Sequence, residues 1–130
     1  MIVKGSEFDK LQKQLQKFAT EKSRVFTNLK VKVKIETLPK TDTYHVAARS
    51  YTNTFYPTDK RYTPWILNYG ISLSPSYVYR YRNDLPELHQ CILHELAHLK
   101  TGAAAGHNAQ FKKNAKELGA DTVHLNRKWD

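Results

Sequence analysis

The chain has 130 residues, 40% of them hydrophobic, with a mean hydropathy of -0.66 and a formal net charge of +9. Such a length suits a single domain, residues 1–130, with a modest core, and no apolar run approaches the ~20 residues of a membrane span. One cysteine, Cys91, excludes an internal disulfide and a cysteine-rich zinc module, while the basic balance favours polyanions, DNA above all, through counterion release.

Met1 to Glu7 lack an apolar signal segment, so a cytoplasmic location is expected, with nucleoid association open to so basic a chain. Ser6-Glu7-Phe8-Asp9 resembles a capping box. Phe8, Leu11, Leu15 and Phe18 then recur at helical spacing and predict a helix over residues 6–22. Its other face carries Lys10, Lys13, Lys17 and Lys22, with Gln12, Gln14 and Gln16 between them. Those lysines are either a solvated face or a phosphate-facing stripe. From Leu29 to Thr37, Lys30, Lys32 and Lys34 alternate with Val31, Val33 and Ile35, the period of a half-buried strand. A second strand is expected from Tyr44 to Tyr51. It is followed by a polar stretch in which Phe55, Tyr56, Tyr62 and Trp65 stand near Lys60 and Arg61. Aromatics beside cations can stack nucleobases, or they can pack a loop onto a small sheet, which is the expectation here. His45 is not at ligand spacing and reads as structural or surface.

Tyr69 to Ser74 reads as a short third strand, with a free edge that could hold an extended peptide. Ser74-Pro75 then starts a short helical turn through Tyr79. Tyr77, Tyr79, Arg80, Tyr81 and Arg82 form a second aromatic and basic cluster, for packing or for binding.

Asp84-Leu85-Pro86-Glu87 is a helix start, with Asp at the N-cap and Pro in the first turn. Leu85, Leu88, Ile92, Leu96 and Leu99 form the apolar stripe of a buried helix ending near Lys100 and Gly102. Cys91 lies among them and reads as an inert thiol. On this helix stands His94-Glu95-Leu96-Ala97-His98, the HExxH pattern of zinc peptidases. Residues four apart lie about 40° apart around a helix, so His94 and His98 can reach one ion from one face. His89 lies about 140° from His94 and is not expected to share that ion. Glu95, about 100° from His94, can act as general base without ligating first. His107 follows His98 after eight residues and is the natural third ligand, opening a last helix at Gly106-His107-Asn108. Phe111, Ala115 and Leu118 give that helix its apolar face, and Gly119 stops it. The tail to Asp130 holds His124, which is not assigned, and Arg127-Lys128-Trp129. On three neutral imidazoles the water of a zinc ion falls in pKa toward neutrality. Glu95 would take its proton during attack on a carbonyl and pass it to the leaving amine.

From Tyr69 onward the chain resembles the SprT-like metallopeptidases. The resemblance runs through Gly70-Ile71-Ser72-Leu73-Ser74-Pro75, His94-Glu95-Leu96-Ala97-His98, Gly106-His107-Asn108-Ala109-Gln110-Phe111 and Lys116-Glu117-Leu118-Gly119. It implies an α+β fold with a small zincin-type, minimal gluzincin-like core. The expected parts are an N-terminal helix, a three-stranded sheet, the HExxH helix and a C-terminal helix. It further implies Zn2+ on His94, His98 and His107, with Glu95 as catalytic base. The family includes DNA-dependent proteases that act on proteins crosslinked to DNA, in keeping with the basic charge. Relatives often have Gly where this chain has Asn108, and bacterial members often carry a four-cysteine zinc ribbon that is not expected here. The YgjP-like metallopeptidases resemble the same helix and rank second. The expected function is therefore a zinc metalloendopeptidase cleaving DNA-associated proteins, without a membrane partner. Two alternatives are a non-catalytic nucleic-acid-binding module with a structural zinc and a peptidase with a specific substrate and no use for DNA.

Overall fold

The computed structural model describes residues 5–37, 47–102 and 107–121. Among these the order is α1 (Gly5–Ser23), β1 (Val31–Ile35), β2 (Ala48–Phe55), β3 (Trp65–Leu73), α2 (Pro75–Arg80), α3 (Leu85–Thr101) and α4 (Ala109–Glu117). The architecture is α+β, with four helices and one three-stranded sheet among the described residues. No helix there is long and apolar enough to cross a membrane.

The strand order is β1-β3-β2. β1 runs parallel to β3 with Val31 opposite Tyr69, and β2 runs antiparallel to it with Ala48 opposite Leu73. Period two then sorts the side chains. Val31, Val33, Ile71, Leu73 and Ala48 turn to one face and are buried against Leu15 and Ala19 of α1 and Leu88, Ile92 and Leu96 of α3. These residues belong to a single core, which also takes in Phe111 and Ala115 of α4. Each fully buried leucine contributes roughly 1.5–3 kcal/mol.

The predicted α1 matches within a residue at each end. Its glutamines have a role that the helical pattern alone does not reveal. Gln16 accepts from the Val33 amide at 2.8 Å and donates to the Val31 carbonyl at 2.7 Å, and Gln12 donates to the Val33 carbonyl at 2.7 Å. They occupy the outer edge of β1 as a neighbouring strand would.

The sheet differs from the expected one in two ways. The expected second strand is displaced: β2 runs to Phe55, and residues 44–46, with His45, lie outside the described residues. β3 begins at Trp65, not Tyr69, so the stretch expected as a packed loop is largely a β-hairpin. Cross-strand pairing explains the extension, since Phe55 lies opposite Trp65 with ring centroids 4.7 Å apart. The second correction concerns β3. It is the central strand, paired on both sides, and has no free edge for a peptide. Its last four residues are all buried for that reason.

Helix ends follow the local chemistry. Pro75 sits in the first turn of α2, although the Ser74 hydroxyl faces Ser76 and does not cap the backbone. Asp84 caps α3 by accepting from the Glu87 amide. Gly102 and Gly119 take positive φ, 109° and 99°, where α3 and α4 end. The tail beyond Asp121, including His124, lies outside the described residues.

Candidate metal centre

Three imidazoles converge where α3 meets the segment before α4. His94 is buried, His98 half-buried and His107 exposed, and one ligand atom from each lies within 4.8 Å of the others. His98 Nε2 and His107 Nε2 are 3.0 Å apart. Two nitrogens at 2.0–2.1 Å from a tetrahedral ion stand about 3.3 Å apart, so the spacing suits a shared ion after a small adjustment. The three histidines could therefore hold a metal ion.

Helical periodicity alone places His94 and His98, one turn apart on α3. His107 needs the packing of α4. The last helix starts at Ala109, so His107 stands just before the N-cap rather than within the first turn. The cause is Asn108. Its side chain accepts from the Phe111 amide at 2.9 Å, the bond of an N-cap residue. Its backbone is extended, a conformation open to any residue, so glycine is not required there. Further along, Lys100 pairs with Glu117 at 2.8 Å, and the Asn114 amide donates to the Thr101 hydroxyl at 2.8 Å. Thr101 in turn donates to the Ala97 carbonyl at 2.7 Å, and Gln90 accepts from the Asp121 amide at 2.8 Å. The Lys100–Glu117, Asn114–Thr101 and Asp121–Gln90 contacts fix α4 and its end against α3.

Phe111 is the residue whose part in the site the sequence reading missed. It reads there only as core. In the structure its buried ring lies 5.1 Å from that of His94, 4.4 Å from His98 and 4.7 Å from His107, a common floor for all three. The available signal is the four-residue spacing from His107 to Phe111 across a helix start.

Glu95 is wholly buried beside His94. The same helix brings Cys91 and Glu87 into the core. Burial first, then the charge of Glu95, pushes the Cys91 thiol well above its ordinary range, as expected of an inert thiol. Burial likewise raises the Tyr77 phenol beside it. His89 stays apart from the cluster. It stacks on Phe18 at 3.9 Å, and burial and the nearby Lys22 charge lower its pKa.

The two aromatic and basic clusters differ. In the second, the Arg82 guanidinium lies 4.0 Å over the Tyr79 ring and Tyr77 packs on Tyr81, so those groups satisfy one another. In the first, Tyr56, Tyr62 and Trp65 are largely exposed. Between them, Arg61 pairs with Asp59 at 2.7 Å.

Comparison with protein-family models, with curated proteins and with solved structures found no match to this chain.

Proposed function

We propose that the protein is a zinc-dependent metalloendopeptidase of SprT-like type, with a zincin-type core, that cleaves proteins bound or crosslinked to DNA. The observation that carries the reading is the convergence of His107 on His94 and His98, with Glu95 next to His94 along α3. Three imidazoles are a protein donor set of catalytic zinc, and the ion would supply an acidified water and a polarised carbonyl there. His94, His98 and His107 would hold the ion. Glu95 accepts a proton from the attacking water and delivers it to the leaving amine.

An extended peptide pairs with the outer edge of β2. Gln12 and Gln16 occupy the outer edge of β1, and β3 is central, so β2 has the one strand edge left open among the described residues. α3 packs chiefly beneath β2, which keeps the peptide on the side of the metal-bearing helix. Main-chain pairing tolerates many side chains, as broad proteolysis requires. The net charge of +9 supports a DNA-associated substrate.

The test is zinc content together with cleavage of histones, and of the chain itself, with single-stranded DNA, duplex DNA and none. His94→Ala or His107→Ala should lose stoichiometric zinc. Glu95→Gln should keep it and lose proteolysis. A fully folded wild-type protein without zinc affinity, or an active Glu95→Gln variant, would overturn the reading. The complete burial of Glu95 favours one alternative, a nucleic-acid-binding module with a structural zinc. Salt-sensitive DNA binding with no cleavage under any condition would establish that alternative.

A further inference from the structure

The sheet has a second face. Val31, Val33, Ile71 and Leu73 turn to the core, so the intervening residues turn away from it, and no described helix packs on them. β2 alternates without interruption, since the register slip between it and β3 falls at Leu67 on the other strand. Arg49, Tyr51, Asn53 and Phe55 therefore line one face in order. Lys32 aligns with Gly70 and Tyr51 in one row across the strands, and Lys34 with Ser72 and Arg49 in the next. Beyond them the side chains of Asn53 and Asn68 bond to each other, and Phe55 packs on Trp65.

Three observations say what this face fits. First, its aromatic rings are separate from the core: Tyr51 is half-buried, and Phe55 and Trp65 are 44% and 51% exposed. Second, the Tyr51 ring lies over Gly70. A Cβ at position 70 would fall 2.0 Å from Tyr51 Cζ, so only glycine lets the ring rest on the sheet. Third, the charge is one-sided. Among the described residues, Lys32 and Lys34 share the face with one carboxylate, Glu36, which accepts from the Ser72 hydroxyl at 2.7 Å. A protein-docking face would gather its aromatics into one apolar patch. Here Lys32 stands in the row of Tyr51, the Asn53–Asn68 pair separates that row from Phe55 and Trp65, and Tyr51 and Phe55 stand about 13 Å apart along β2 at ~3.3 Å per residue.

We propose that this face, on which no described helix packs, binds single-stranded nucleic acid, with bases stacked on Tyr51 and on the Phe55–Trp65 pair and phosphates met by Lys32 and Lys34. Flat rings on a sheet are usable by any base, so binding is insensitive to sequence, and a duplex, whose base faces are hidden, binds less well. The proposal rests on the nucleic-acid part of the function proposed above and is independent of the metal and of proteolysis. It places the nucleic acid next to the β2 edge where a peptide would pair.

The test is fluorescence anisotropy of a labelled oligothymidylate with the full chain, at several salt concentrations. Trp65→Ala and Tyr51→Ala should each weaken binding about tenfold, the order of one lost stacking contact. Lys32→Gln with Lys34→Gln should flatten the slope of log K against log salt by about 1.4, two phosphate contacts of a single strand. Lys13→Gln with Lys17→Gln on α1 removes the same charge and should change neither affinity nor slope beyond a small uniform effect. All these positions are at least partly exposed, and circular dichroism would verify the fold. Gly70→Ala supplies a second route, displacing the Tyr51 ring without removing it. The proposal fails if the chain does not bind the oligonucleotide, if duplex binds as tightly, or if only the α1 variant weakens binding. Loss of cleavage in Glu95→Gln with binding intact bears on the peptidase alone, so the two readings fail separately.

Discussion

Phe111 holds the three imidazoles by contact rather than by bonding. Its ring is 1% exposed and meets each histidine within about 5 Å. Removing it would cost roughly 3–5 kcal/mol of stability and leave a cavity under the ligands. Phe111→Leu retains most of the volume and none of the flat floor. We predict that it costs less stability but still weakens metal affinity, measured by competition with a chromophoric chelator. Unchanged affinity in a folded Phe111→Leu protein would show that the ligands orient themselves. Asn108 beside it shows how a residue type can be recognised and its use misjudged. Against the resemblance it looks like a departure from glycine. In the structure it caps α4, which is what a short polar side chain does best at that position.

Among the elements, α1 does two jobs with one sequence. Leu15 and Ala19 enter the core while Gln12 and Gln16 satisfy the outer edge of β1. Gln16→Ala removes two of those bonds, leaving a backbone amide and a carbonyl to find water or another strand. The expected cost is about 1–3 kcal/mol by urea denaturation, with increased self-association by light scattering. A variant as stable and as monodisperse as the wild type would assign the edge a lesser role. These elements also show what was legible from sequence. α1, α3 and β1 follow from hydrophobic period and caps, because each is amphipathic or alternating within itself. β2 and β3 were displaced or shortened because their outer halves depend on each other. Phe55 and Trp65 signal a strand only once they face one another. The closure of β1 by glutamines and the central place of β3 are relations between distant segments, with no local signature.

At the scale of the molecule, the histidine cluster joins two helices that otherwise meet through Phe111, the Lys100–Glu117 pair and the Thr101–Asn114 contact. An ion shared by His94, His98 and His107 would bind the folded state and so stabilise it by mass action. At a hundredfold excess over its dissociation constant, zinc should add about 2.7 kcal/mol. For a domain of this size that is on the order of 10 °C in Tm. A chelator should reverse the shift, and His107→Ala should abolish it. A Tm indifferent to zinc would contradict the proposed site. The clustering of His94, His98 and His107 was legible because two sit one helical turn apart and the third follows closely. The buried setting of Glu95 and the shared aromatic floor were not, since both depend on how α4 and the core close over α3.

The closeness of those ligands along the chain bears on the order of assembly. His98 and His107 are nine positions apart, and α3 and α4 meet as a helical hairpin. Closing a loop of about ten residues takes tens of nanoseconds and little entropy. The parallel pairing of β1 with β3 must instead bring Val31 to Tyr69 across the whole β2 hairpin, which is slow. The helical hairpin with its histidines is thus able to form before β1 pairs with β3. In kinetic terms, the histidine cluster lies in a part of the chain whose contacts are local and do not wait for the pairing of β1 with β3.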